Sequence, residues 1–185
     1  EWKRPAQLGE EPVDVSCAGS PCFQDLAIGT WHVCAVTDDA RVLCWGFQSE
    51  GATGQPAAHT PTFVESPTEV PGVAAERVEA GGSNSCVQQG DELTCWGYLN
   101  REDDGVDITL RAEPEKLLQA PIAQLAVAER HMCVLQPDGI PACYGANDFG
   151  QLGRVTTRPP DYPEDLPDLG FASFEFLPST TVSHL

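Results

Sequence analysis

The stretch Gly29-Thr30-Trp31-His32-Val33-Cys34, followed after nine residues by Cys44-Trp45-Gly46, decides how this chain is read. It recurs as Gly81-Gly82-Ser83-Asn84-Ser85-Cys86 with Cys95-Trp96-Gly97, and again as Ala128-Glu129-Arg130-His131-Met132-Cys133 with Cys143-Tyr144-Gly145. Each unit has a Cys pair, a large aromatic after the second Cys, then Gly. The position two before the first Cys holds His32, Asn84 and His131. A recurrence near 50 residues is the mark of a repeat architecture, in which one supersecondary unit is copied and stacked.

Each unit folds into a β-hairpin. In the first, Cys34 faces Cys44 and Val36 faces Val42, leaving the loop Asp38-Asp39-Ala40. In the third, the loop is Pro137-Asp138-Gly139, a type I turn followed by Gly where a left-handed residue is needed. The second Cys pair is one residue closer, which leaves the two-residue loop Gly90-Asp91, with Gly first as a type II′ turn requires. The one change in Cys spacing is thus matched by a change in turn chemistry. Directly opposed residues in antiparallel strands have Cα atoms about 4.5–5.5 Å apart, within reach of a disulfide. The expected bridges are Cys34–Cys44, Cys86–Cys95 and Cys133–Cys143, with reduced core thiols as the alternative. A further local bridge, Cys17–Cys22, is expected in the N-terminal segment 1–23, outside the repeats. No C-x-x-C occurs, so zinc is disfavoured, and no metal or other cofactor is expected. Eight paired cysteines imply an oxidising compartment: secreted, periplasmic or cell surface.

After Cys143-Tyr144-Gly145 the chain continues Ala146-Asn147-Asp148-Phe149-Gly150-Gln151-Leu152-Gly153. After Cys44-Trp45-Gly46 it continues to Gly51-Ala52-Thr53-Gly54-Gln55. This pattern resembles the repeat of the regulator of chromosome condensation (RCC1) family, over roughly residues 24–185. The second unit departs most, with Tyr98-Leu99-Asn100-Arg101 and an acidic run in place of the Gly-Gln-Leu-Gly element. The added Cys pair resembles the secreted bacterial form of such repeats. The resemblance implies an all-β fold of β-propeller blades, four strands each, here a partial or incomplete ring of about three to four blades. It would comprise three repeats and the start of a fourth, because Thr181-Val182-Ser183-His184-Leu185 can be laid on Ala128 to Met132. With Glu1-Trp2 at its start, the chain reads as a processed or truncated piece of a longer repeat protein. Trp45-Gly46, Trp96-Gly97 and Tyr144-Gly145 are read as blade-packing anchors.

Function is bounded more loosely. The chain has 185 residues and a formal charge of −18, which argues against a nucleic-acid surface. No apolar run is long enough for a transmembrane helix. No nucleophile elbow, Ser-His-Asp order or phosphate loop occurs, so no catalytic residues and no enzyme activity are expected. The acidic run Glu102-Asp103-Asp104-Gly105-Val106-Asp107 lacks the alternating spacing of a calcium loop and reads as a solvated loop. The expectation is a protein-binding module or scaffold subunit in an extracytoplasmic assembly. A reversible inhibitor-like or receptor-like module, analogous to propeller-type β-lactamase inhibitors, is the alternative. Loop residues expected to meet a protein partner are Trp31, Phe47, Tyr98, Arg101, Arg130 and Phe149, because aromatics and Arg dominate interface energetics.

Overall fold

The computed structural model describes residues 22–48, 51–55, 63–98, 110–146 and 149–153, and the backbone of 172–176. Its twelve strands form three antiparallel four-stranded sheets. Blade 1 holds β1 (Phe23–Ile28), β2 (His32–Thr37), β3 (Arg41–Phe47) and β4 (Phe63–Ala74). Blade 2 holds β5 (Arg77–Ala80), β6 (Asn84–Gln89), β7 (Glu92–Tyr98) and β8 (Leu110–Gln119). Blade 3 holds β9 (Gln124–Val127), β10 (His131–Leu135), β11 (Pro141–Gly145) and β12 (Ala172–Phe176). In every sheet the spatial order follows the chain. The strand β5 touches both β1 and β9, so the first strands of the blades lie side by side and the sheets stack in succession.

The Cys-containing hairpins have the register expected from the sequence: Cys34 opposite Cys44, Cys86 opposite Cys95 and Cys133 opposite Cys143. All three pairs are bridged, with Cα atoms 4.1 Å apart. The turns follow their residues. Gly139 has φ 84° and Gly90 has φ 56°. Ala40 takes the place of Gly139 in the first unit and is held at φ 66°. The Gly after each aromatic is equally constrained. Gly46, Gly97 and Gly145 have φ of 110°, 91° and 112°, and a Cβ there would lie 2.3–2.5 Å from the carbonyl oxygen of Trp31, Ser83 or Arg130. Each marks a register shift in the pairing of the third strand with the fourth, so the aromatic-Gly pair encodes a bulge.

The core lies between sheets, because alternate residues of a strand face opposite sides. One face of blade 1 (Ala27, Cys34, Val36, Val42, Cys44, Val70) packs on Val78, Val87 and Trp96 of blade 2. The other face of blade 2 (Cys86, Leu93, Cys95) packs on Leu125, Met132, Val134 and Ala142 of blade 3. The disulfides of blades 1 and 2 therefore sit on the face turned toward the next blade. The Met132 sulfur lies 3.7 and 3.8 Å from those of Cys86 and Cys95.

The expected Cys17–Cys22 bridge, Arg101, the acidic run 102–107 and the start of a fourth repeat at 181–185 involve residues outside those described.

Candidate functional site

Two rims bound the stack of blades. One carries the hairpin turns, with Asp38 and Asp39, Asp91, and Asp138 on successive blades. The other is built where each second strand begins and each third strand ends. There the backbone closes identically in every blade: Phe47 N–H donates to Trp31 O, Tyr98 N–H to Ser83 O, and Ala146 N–H to Arg130 O, all at 2.8 Å. Trp31, Ser83 and Arg130 are thus one repeat position, and Phe47, Tyr98 and Ala146 another. Four of the six residues expected from sequence to meet a partner share this rim. They occupy strand ends and short connections, with Phe47 and Tyr98 inside β3 and β7, because the closing hydrogen bonds extend the ladder past the bulge.

Exposure separates them. Trp31 is 71% exposed and Phe149 93%. Phe47 is half-buried against Phe63, with ring centroids 5.3 Å apart, and Phe63 is itself 58% exposed. Tyr98 and Arg130 are half-buried. Phe63 carries no repeat signature, and only its pairing with Phe47 in the β3–β4 ladder brings it to this rim.

The residues expected as packing anchors divide. Trp96 is completely buried, and its indole N–H donates to Ala52 O of blade 1 at 3.0 Å. Tyr144 packs against the cluster shared with blade 2. Trp45 departs from this pattern. It is half-buried and meets Phe23 of its own blade at 6.5 Å, because among the described residues no blade lies on that side of blade 1.

The His/Asn position joins blades. His32 Nε2 is 2.8 Å from Ser85 Oγ, whose hydroxyl donates to Ala52 O at 3.0 Å, so the Ser oxygen accepts from the imidazole. Asn84 Nδ2 donates to Ala128 O and Glu129 O of blade 3 at 3.3 and 3.0 Å. Burial holds the His32 pKa below its ordinary value, against the opposing effect of the Asn84 backbone. These are staples between neighbouring sheets. Among the described residues no three His, Cys, Asp or Glu side chains gather as a metal site would require. A cleft of about 600 Å³ between β4 and β7–β8 is lined by Pro71, Val73, Gln89, Thr94, Glu113 and Lys116.

Comparison with known proteins agrees with this geometry. Residues 23–52 match the model of the regulator of chromosome condensation (RCC1) repeat. The chain is 29% identical to the mouse (Mus musculus) regulator of chromosome condensation over 150 residues, covering 73% of this chain and 34% of that protein. The human (Homo sapiens) counterpart is 29% identical over 167 residues, covering 84% and 36%. The chain thus spans about a third of the length of these relatives. Among solved structures, human WBSCR16 superposes with a TM-score of 0.64 at 16% identity, over 86% of this chain and 41% of that one. Prp20p of Saccharomyces cerevisiae, studied for its binding to Gsp1p and histones, superposes at 0.60 and 22% identity, over 71% and 34%.

Proposed function

Taking as premise a chain built of RCC1-like propeller repeats, we propose that it is a non-enzymatic protein-binding module of an extracytoplasmic assembly, presenting the rim that carries Trp31 to its partner. The observation that carries the reading is the exposed Trp31 beside the Phe47–Phe63 pair, three aromatic rings at one end of one blade. Exposed aromatics fixed on a rigid scaffold lose little conformational entropy on binding and desolvate well, which is why such residues anchor protein interfaces. The opposite rim presents acidic turns, and Phe23, opposite Thr37, is its one exposed aromatic among the described residues, against three rings on the Trp31 rim. The yeast fold neighbour Prp20p is itself a protein binder, which is consistent with this use of the fold.

The location follows from sulfur. Three bridges, two of them wholly buried, support a compartment in which thiols oxidise, outside the reducing cytosol, as in the secreted bacterial form of the repeat. The charge of −18 makes a nucleic-acid partner unfavourable.

The test is a photo-crosslinking residue placed at Trp31 and, separately, at Asp138 on the other rim, in cells producing the oxidised protein. A discrete protein adduct at 31 and none at 138 is the expected result. Equal adducts at both positions, or none at 31, would overturn the assignment of the rim. Free thiols at the six repeat cysteines after non-reducing mass spectrometry would overturn the compartment.

A further inference from the structure

The two seams between the described blades are stapled from the same repeat positions, with different chemistry in each. One position lies two residues before the first Cys. His32 fills it in the seam between blades 1 and 2, and Asn84 in the seam between blades 2 and 3. Both are 2% exposed. The other position lies opposite the residue two past the first Cys. There Asp25 accepts Val78 N–H of blade 2 at 2.8 Å, and Arg77 donates from Nη1 to Ala123 O of blade 3 at 3.1 Å. Blade 2 adds Gln88, whose Nε2 donates to Ile122 O of blade 3 at 3.0 Å, where blade 1 has Val36. The second seam is therefore held by two amides and a guanidinium, none of which gains a proton in mild acid. The first is held by a carboxylate and an imidazole, and the imidazole is the side chain whose ordinary titration falls in that range.

The first seam is built for the neutral imidazole. Ser85 gives its own hydroxyl hydrogen to Ala52 O, so His32 Nε2 carries the ring hydrogen and Nδ1 is the atom left to be protonated. Gly29 lies against that edge of the ring, where a Cβ would stand 2.5 Å from Nδ1 and 2.2 Å from Cε1. Among the described residues no charged side chain stands against the ring to balance a cation, and burial disfavours one, the Asn84 backbone offsetting part of that effect. The charged groups of this seam lie at its edges. Asp25, Glu76, Arg77 and Glu79 line a cleft along the inner strands, and Glu92, Glu113 and Lys116 line the one along the outer strands. Glu79, raised by burial and then by Asp25, takes up its proton in the folded state and so works against opening.

We propose that the seam between blades 1 and 2 is a proton-operated joint, closed on neutral His32 and opened by its protonation, while the seam between blades 2 and 3 has no such release. The open seam hydrates the imidazole, which then titrates at its ordinary value, so mild acid draws the joint open. At pH 5 the open population exceeds its neutral-pH value by up to about 30-fold, the limit set by an ordinary value of 6.5. Opening uncovers the Cys34–Cys44 bridge, whose Cys34 sulfur lies 3.4 Å from Ser85 Oγ, and separates Trp96 from Ala52. It also releases Thr30 N–H, beside Trp31, from Gly81 O and Gly82 O. The joint rests on the seam alone and holds whether or not the Trp31 rim meets a partner.

The two wholly buried bridges read the two seams. Cys34–Cys44 is covered by blade 2, and Cys86–Cys95 by Met132 of blade 3. A short pulse of a phosphine reductant, trapped with N-ethylmaleimide and read by mass spectrometry, gives the initial reduction rate of both bridges in one sample. Circular dichroism confirms that each variant stays folded at both pH values. Between about pH 7.5 and about pH 5, the rate for Cys34–Cys44 relative to that for Cys86–Cys95 rises several-fold, to at most about 30-fold. His32→Asn, which installs the amide of the second seam, makes that ratio independent of pH, and His32→Gln serves in its place should the first variant not fold. Glu79→Gln keeps the wild-type rise. A wild-type ratio that does not change with pH overturns the proposal. So does a rise that survives the loss of His32, which would place the switch on Asp25, or one that disappears in Glu79→Gln.

Discussion

Ala40 holds a left-handed backbone, at φ 66°, in the loop position that Gly139 fills in the third hairpin. A Cβ in this conformation costs about 1–2 kcal/mol, offset by the roughly 0.5–1 kcal/mol of extra chain entropy that Gly loses on folding. Ala40→Gly is therefore expected to stabilise by roughly 0.5–1 kcal/mol, and Gly139→Ala, which meets no atom within 4 Å, to destabilise by a similar amount in urea titrations. His32 gives a pH signature. Its folded-state pKa lies below the ordinary 6.5, so as pH falls the unfolded chain takes up the proton first. Its contribution is complete above 6.5 and is lost through the window between that value and the lowered folded-state one. The melting temperature should fall as pH drops below 6.5, and His32→Asn, which installs the residue found at position 84, should flatten that slope. Glu79, held above the usual carboxylate range by burial and then by Asp25, acts in the opposite sense. The difference between wild type and variant isolates the histidine.

At the scale of elements, the same sequence motif has different worth in different blades. Trp96→Ala should cost about 3–5 kcal/mol, because it empties a fully enclosed site and removes one of the two donors to Ala52 O, leaving only Ser85. Trp45→Ala should cost well under half as much in the isolated chain, since Trp45 is only half-buried, and among the described residues no second blade encloses it. Chemical denaturation of the two variants gives the comparison directly, and equal losses would contradict the packing described. The hairpins themselves were legible in the sequence. Cys34 opposite Cys44, and the switch from a three-residue to a two-residue loop where the Cys spacing shortens, follow from period-two geometry and turn chemistry, both local. The fourth strands were legible only through the family resemblance. Phe63–Ala74 and Leu110–Gln119 pair with bulges and carry Pro67, Pro71 and Pro114, so their alternation is broken.

For the whole molecule, charge opposes compactness. A net −18 on 185 residues repels itself over distances that salt screens, with a Debye length near 10 Å at 0.1 M. The described ion pairs, Arg41 with Asp39 and Glu69, and Lys116 with Glu92, lie on the surface and offset little of this. Raising sodium chloride from low concentration to about 0.15 M should therefore raise the melting temperature by roughly 2–4 °C for a gain near 1 kcal/mol. An unchanged or falling value would show that local pairs outweigh the net repulsion. The amino-acid sequence by itself determined the repeat, the register of each bridged hairpin and the turn conformations, because those depend on neighbours close along the chain. Only the tertiary structure decided which aromatic is core and which is surface. Trp45 and Trp96 stand in the same motif, and what separates them is whether another sheet lies against that face, a fact about packing between blades that no single repeat contains.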